Sequence, residues 1–332
     1  MNSAMHIVVT GAAGFIGSHL CERLLADENI KVTGIDARLI GDELFARNLG
    51  ELNGHPRFQL LEGDLIRLPL THILQDVDVI YHLAGMPGVR SSWGPDFHRY
   101  TAHNIDATQR LLEACQSAKR LQRFIYASTS SIYGEKTGAV REDAVPEPLS
   151  PYGVSKLTGE YLCRVYAHSS RMPIVILRFF TVYGPRQRPD MAFHRFIRSM
   201  IKDEPITING DGLQTRDFTY VADAVEAIAR TAYVNGIEGE TINIGGKERA
   251  SVLDAVSILQ QLFGRKAQLQ FMGKPRGEPR HTWADISKAE KMLSYQPQTS
   301  LRSGLEHEML DLLDYYTNLG IQNRGKSDHT ED

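Results

Sequence analysis

The segment His6–Thr10 reads HIVVT and runs directly into GAAGFIGSHL. A short apolar strand that ends in glycines at 11, 14 and 17 and then turns amphipathic leaves the chain few choices of fold. Glycines at this spacing serve a tight turn, a close approach of phosphate to backbone, and tight helix–strand packing. Phe15 and Ile16 open the helix, whose N-terminus offers free N–H groups and a partial positive charge. Gly11, Gly14, Phe15, Ile16 and Gly17 therefore form a candidate cradle for a pyrophosphate. The next strand ends at Asp36, about 20 residues further on, where a carboxylate accepts hydrogen bonds from a ribose 2′-hydroxyl and repels a 2′-phosphate. That favours NAD over NADP. Arg38 stands against it, because a guanidinium nearby accommodates a 2′-phosphate.

The same rhythm continues along the chain. Apolar runs predict strands at His6–Thr10, Val32–Ile35, Phe58–Leu61, Val77–His82, Arg123–Ala127, Ile174–Phe179 and Thr241–Ile244. Helical patterns at 15–27, 104–118 and 152–170 fall between or after them. Strands apolar almost throughout are buried on both faces, so the expected fold is α/β, a Rossmann-type doubly wound parallel sheet. In open sheets of this kind ligands bind at the carboxyl ends of the strands. Asp64 and Leu65 end the third strand, where a carboxylate suits an adenine amino group. Leu83 and Ala84 end the fourth, next to Gly85, where small residues let a cofactor lie against backbone.

Pro185, Pro189, Pro205, Gly210 and Gly212 loosen the pattern after residue 180, before a helix at 221–234 and a mostly helical stretch at 251–317. We expect an NAD-binding domain over 1–180 with 221–250, interleaved with a smaller mixed α/β substrate-binding domain over 181–220 with 251–320. The polar tail 321–332 is expected to be disordered.

Composition excludes several classes. The formal net charge of −3 gives no basic footprint for nucleic acid. The three cysteines are far apart and the twelve histidines show no ligand spacing, which argues against disulfides and a metal site. No apolar run reaches the ~18 residues of a membrane span, and the N-terminus has no signal-peptide pattern. The expected location is cytoplasmic.

Chemistry concentrates in two stretches. STSSIYG at 128–134 puts four hydroxyl residues in a row at a strand end, with no acid among them. SPYGVSKLTGE at 150–160 starts a helix on which Tyr152 and Lys156 lie one turn apart, on one side. A tyrosine titrates near ~10, so acting as a base near neutral pH needs a fall of about 3 units, about 4 kcal/mol. A cation ~4 Å away at an effective dielectric of ~20 supplies about that much. Lys156 and a positive nicotinamide ring are expected to provide it together.

TGAAGFIG, Asp36, Asp64, the hydroxyl run and Tyr152-x-x-x-Lys156 together resemble the extended short-chain dehydrogenase/reductase family over roughly residues 5–317. RFFTVYGPRQRPDMA at 178–192 and DGLQTRDFTYVAD at 211–223 narrow the resemblance to its nucleotide-sugar epimerases and dehydratases. The resemblance implies that Thr129 bonds the sugar 4-hydroxyl, Tyr152 is the base and Lys156 holds the nicotinamide ribose. It also implies that Arg188 and Arg216 grip a UDP diphosphate, as guanidinium forks suit phosphate oxygens. A homodimer built on helices 104–118 and 152–170 is implied as well.

The missing acid bears on the reaction. Dehydratases of this family carry Thr-Asp-Glu at the hydroxyl run and UDP-glucuronate decarboxylases carry Thr-Ser-Glu, whereas this chain has Thr129-Ser130-Ser131. What remains is 4-epimerisation through a 4-keto sugar. PGVRSS at 87–92 and the run Thr181–Pro185 resemble UDP-glucuronate 4-epimerases. Thr129, Ser130, Ser131 and Thr181 form a set of hydroxyl donors suited to a carboxylate, which only accepts hydrogen bonds. Arg90 is a further candidate for the sugar pocket, with a structural salt bridge as its alternative. The competing readings are a 4-epimerase of UDP-glucose or a UDP-N-acetylhexosamine, a UDP-glucuronate decarboxylase, and a non-catalytic NAD-binding protein on the same fold.

Overall fold

The computed structural model describes residues 4–37, 43–274 and 276–320. Arg38 and the tail from 321 lie outside the described residues. Among the described residues twelve strands run in chain order: β1 Met5–Thr10, β2 Ile30–Asp36, β3 Phe58–Glu62, β4 Val79–His82, β5 Arg123–Thr129, β6 Ile174–Phe179, β7 Thr181–Tyr183, β8 Ile206–Asn209, β9 Thr215–Tyr220, β10 Thr241–Ile244, β11 Glu248–Ser251 and β12 Leu269–Met272. Seven form one parallel sheet in the order β10-β6-β5-β4-β1-β2-β3. All seven expected strands are in it.

Alternation along the strands explains why both faces are covered. Ile7 and Val9 of β1, Tyr81 of β4, Ile125 of β5 and Val175 and Leu177 of β6 enter one apolar core. Their neighbours Val8, Ile80, Phe124, Tyr126, Ile174 and Ile176 enter the core on the opposite face. Helix Phe15–Leu25 packs on the first face, and helices Ala107–Cys115 and Pro151–Ser170 on the second.

The strand order reverses between β1 and β4, which opens a crevice at their carboxyl ends. A buried chain of hydrogen bonds locks its floor. His82 meets Thr10 Oγ1 through Nδ1 at 2.8 Å and Thr108 Oγ1 through Nε2 at 3.0 Å. Burial, with the Lys156 charge added, pushes His82 down to about 3, so the ring stays neutral.

Residues beyond 180 supply the three-stranded sheet β11-β9-β7 and the pair β12-β8, with a third apolar core of their own. The stretch 251–317, expected to be mostly helical, also contains β12 and an extended segment before helix Ser287–Leu293. β12 pairs with β8, Leu269 opposite Ile206, a long-range contact that local periodicity does not carry. No helix among the described residues is long and apolar enough to cross a membrane.

Candidate active site

The dinucleotide end is built from close contacts. Gly11 has φ +74°, and a Cβ there would lie 2.8 Å from Ala84 N, so the β1 and β4 ends approach as only glycine allows. A Cβ on Gly17 would fall 2.0 Å from Gly11 O, which is the helix–strand packing the third glycine permits. Gly14 caps the helix in extended backbone without a side-chain cap, leaving the first-turn N–H groups to another acceptor. Phe15 is buried beneath the turn and Ile16 is partly buried against the same core. Asp36 Oδ2 accepts from Ala13 N at 3.1 Å and Asn48 Nδ2 donates to Ala13 O at 2.9 Å, so the turn is braced from two elements. Asp64 accepts from Ile66 N at 3.0 Å, and Leu65 is buried behind it. Leu83 and Ala84 line the β4 side of the crevice. These features fit the pyrophosphate and adenosine of NAD.

The hydroxyl run is more ordered than its sequence suggests. β5 continues two residues past the expected end, so Ser128 and Thr129 belong to the strand, and Ser130–Ile132 form a 3-10 turn. Thr129 Oγ1 caps that turn, accepting from Ser131 N at 3.1 Å. Ser131 O sits against Gly153, where a Cβ would be 2.7 Å away, so the start of helix Pro151–Ser170 packs directly on the turn. Ser150 caps this helix, accepting from Gly153 N at 3.1 Å. Thr181 begins β7, just past the end of β6, whose Phe179 pairs with Thr129. Thr129, Ser130, Ser131 and Thr181 are thus gathered at neighbouring strand ends.

Tyr152 stands edge-on to Tyr100, with ring centroids 6.3 Å apart. Lys156 is buried, with Nζ 4.2 Å from the Tyr126 ring centroid, and burial pushes it down to about 8. Burial raises Tyr152 above its ordinary value, and the influences that oppose this are the Thr129 hydroxyl and the Arg188 charge. Replacing Thr129 with Val should therefore raise Tyr152 further and shift the acid limb of the kcat–pH profile upward, with a ~10²-fold loss at pH 7. An unmoved limb would mean that Thr129 does not act on the phenol.

The arginines separate into two groups. Arg188 forms a two-point pair with Asp190, at 2.9 and 2.8 Å, and its charge reaches Tyr152. Arg216 donates to Thr215 O at 2.9 Å and lies 3.5 Å from Glu278, to which Arg90 Nε donates at 2.7 Å. Arg90 and Arg216 thus share one carboxylate, while Arg188 pairs with Asp190.

Two functional features escape sequence reasoning. Instead of a plain helix at 104–118, a helix begins at Phe97 and contains a π-helical stretch over Thr101–Asp106. That widened turn aims buried Asn104 at the site. Asn104 accepts from Met86 N at 2.6 Å and donates to Met86 O at 3.0 Å and Ser155 Oγ at 2.9 Å. Ser155 in turn donates to Tyr152 O at 2.8 Å. The second feature is the buried pair Glu160–Arg178 behind the hydroxyl run, with Ser128 Oγ donating to Glu160 at 2.5 Å.

Known proteins resemble this chain in sequence and fold. Residues 7–245 match the model of the NAD dependent epimerase/dehydratase family. A Bacillus subtilis protein described as an uncharacterized UDP-glucose epimerase, YtcB, is 56% identical over 315 residues, covering 94% of this chain and 99% of that one. A UDP-glucuronate 4-epimerase of Thermodesulfobacterium geofontis is 36% identical over 308 residues, covering 91% and 94%. The crystal structure of the Bacillus cereus UDP-glucuronic acid 4-epimerase, in complex with UDP-glucuronic acid and NAD, superposes with a TM-score of 0.92 at 54% identity, covering 94% of this chain and all of that one. Match, fold and crevice together establish that the chain belongs to the NAD dependent epimerase/dehydratase family.

Proposed function

We propose that the chain interconverts UDP-glucuronate and UDP-galacturonate by inverting C4. The observation that carries this is the meeting of Thr129, Tyr152 and buried Lys156 with a set of hydroxyls that contains no carboxylate. Tyr152 takes the proton of the 4-hydroxyl, and Thr129 bonds that oxygen and the phenol. NAD, when bound at the glycine cradle, supplies a hydride acceptor, then a hydride donor, and a positive ring charge. The flat 4-keto sugar turns over between the two transfers, and Tyr152 returns its proton to the 4-oxygen. Lys156 holds the nicotinamide ribose. Arg188 and Arg216 bind the diphosphate.

The 4-keto form of a glucuronate is a β-keto acid and loses CO2 most readily when the bond to the carboxylate stands perpendicular to the carbonyl plane. Donors from Thr129, Ser130, Ser131 and Thr181 hold the carboxylate nearer the ring plane and suppress that loss. Ser131→Glu replaces a donor with a like charge, which repels the carboxylate. The expected result is a UDP-pentose alongside the epimer. Loss of epimerisation with no pentose formed would show that this position does not control the branch.

Proton NMR of the purified chain with UDP-glucuronate and no added NAD tests the reading. UDP-galacturonate without net NADH supports substrate, reaction and retained cofactor together. A pentose product would favour the decarboxylase reading. Turnover of UDP-glucose alone would favour the reading that the B. subtilis relative's description suggests.

We also read the chain as a homodimer. Val154, Tyr161 and Val165 are exposed on helix Pro151–Ser170 at a spacing that puts them along one face. A monomer by sedimentation would sink this. The third apolar core supports a separate substrate-binding unit over 181–220 and most of 251–320, although Ala289, Leu293 and Tyr295 pack on the sheet core instead.

A further inference from the structure

The hydrogen bonds through His82 on the crevice floor form one chain with one direction. Ala84 N, which can only donate, meets Thr10 Oγ1 at 3.1 Å. Thr10 Oγ1 lies 2.8 Å from His82 Nδ1, and His82 Nε2 lies 3.0 Å from Thr108 Oγ1. At the far end Thr108 Oγ1 donates at 2.8 Å to Asn104 O, which can only accept. The two ends fix the middle. Thr108 gives its one proton to the carbonyl, so it accepts from His82, and Nε2 carries the ring proton. The neutral ring then has a bare Nδ1, which accepts from Thr10. Thr10, His82, Asn104 and Thr108 are all buried, and the Phe124 and Tyr126 rings flank the imidazole at 6.1 and 5.8 Å between centroids.

Both ends of the chain lie at working parts of the crevice. Ala84 N sits under the glycine turn, 2.8 Å from where a Cβ on Gly11 would be. Asn104 lies in the π-helical stretch, and its side chain ties Met86 to Ser155 and so to Tyr152 O. A Cβ on Gly85 would fall 2.8 Å from Asn104 Oδ1, so the two segments are already in close contact. Asn104 is held by its amide on one side and by its carbonyl on the other. An apolar residue at 82 would fill the same space without desolvating two ring nitrogens. What the imidazole adds is a rigid link from Thr10, at the end of β1, to Thr108, on the helix that follows the π-helical stretch.

We propose that His82 is a positioning residue that holds Asn104, and through Ser155 the start of the Tyr152 helix, in register with the nucleotide cradle. This rests on the proposed epimerase reading, in which Tyr152 is the base. In that reaction a hydride leaves C4 and a proton leaves its oxygen, so the phenol and the cradle must reach neighbouring atoms of one sugar at once. When the link is lost the glycine turn stays in place, braced by Asp36 and Asn48. The π-helical stretch and the start of the Tyr152 helix then shift against it.

The test is a double-mutant cycle on the NAD-loaded protein, with His82→Asn, Thr108→Val and both together. Turnover of UDP-glucuronate by the parent chain is read first. Its absence would overturn the epimerase reading and this inference with it. Given turnover, Thr108→Val, which keeps the side-chain shape and removes both bonds, should lower kcat ~10-fold, with KM within ~2-fold and bound NAD unchanged. Thr108→Ser keeps the hydroxyl and should regain most of that loss. Asparagine at 82 reaches Thr10 but not Thr108, so His82→Asn should cost as much as Thr108→Val. In the Thr108→Val background it should cost less than ~2-fold more, because the bond it breaks is already gone. Equal factors in both backgrounds, or KM and bound NAD failing in step with kcat, would mean that His82 only fills the core, and would overturn the inference alone. Nitrogen NMR of the histidine-labelled chain reads the link without turnover. One of the twelve histidines should stay neutral across the pH range of activity, carry its proton on Nε2 and shift in Thr108→Val. No ring meeting all three conditions would overturn the inference. Should His82→Asn fail to fold, the Thr108 variants decide: Thr108→Val as fast as the parent, or Thr108→Ser as slow as Thr108→Val, would overturn it.

Discussion

Phenylalanine at position 152 leaves the fold intact and cuts turnover of UDP-glucuronate by ~10³-fold or more, within the range that a positioned general base contributes. The substitution removes only the phenolic hydroxyl. The ring still meets Tyr100 edge-on, and Tyr152 O still accepts from Ser155. Asn104 and the Met86 backbone therefore stay linked to the helix. KM should change less than about threefold, since an interaction needed only in the transition state shows in kcat. NAD released by denaturing the variant should match the parent in amount, because the cradle residues are untouched. The check is single-turnover NMR with the bound cofactor quantified in the same sample. Turnover within tenfold of the parent would remove Tyr152 from the mechanism and leave Lys156, at about 8, to be considered as the base.

The parts of this molecule legible in its sequence are those encoded locally. Gly11, Gly14 and Gly17 specify a turn whose geometry admits little else, and each of the seven sheet strands is a short apolar run between turn residues. Tyr152 and Lys156 follow from helical spacing once a cap is seen at Ser150. The illegible parts depend on contacts far apart in sequence. Asn104 needs the π-helical widening at Thr101–Asp106, which leaves no trace in apolar periodicity. Arg186 reads as one more arginine of the run at 178–192 until its partners appear, 164 and 168 residues away. The origin of the Tyr152 pKa is also tertiary, because it depends on which cation faces the phenol. The Lys156 side chain is drawn to Tyr126, whose ring lies on β5, and helical spacing alone cannot reveal that.

Arg178→Met should be the most destabilising of the substitutions argued here, by about 3–5 kcal/mol, because it strands a buried charge. Both side chains of the Glu160–Arg178 pair are 1% exposed. Arg178 donates to the two Glu160 oxygens at 2.9 and 2.7 Å, to Tyr133 Oη at 2.8 Å and to Glu142 O at 2.9 Å. With Arg178 gone, Glu160 keeps the Ser128 hydroxyl at 2.5 Å and the half-exposed Arg164 at 3.7 Å, which together do not replace a buried two-point guanidinium. Denaturant unfolding of parent and variant measures the loss. The double variant Glu160→Leu with Arg178→Met should recover more than half of the loss, since an apolar pair of similar volume leaves no charge behind. It should not recover activity. Ser128 precedes Thr129, and its bond to Glu160 fixes the strand end from which Thr129 meets Tyr152. A stable double variant with wild-type turnover would mean that the pair serves the fold alone. Stability without turnover would mean that the charge is kept beneath the hydroxyl run because it fixes Thr129, at a cost in stability that an apolar core would avoid.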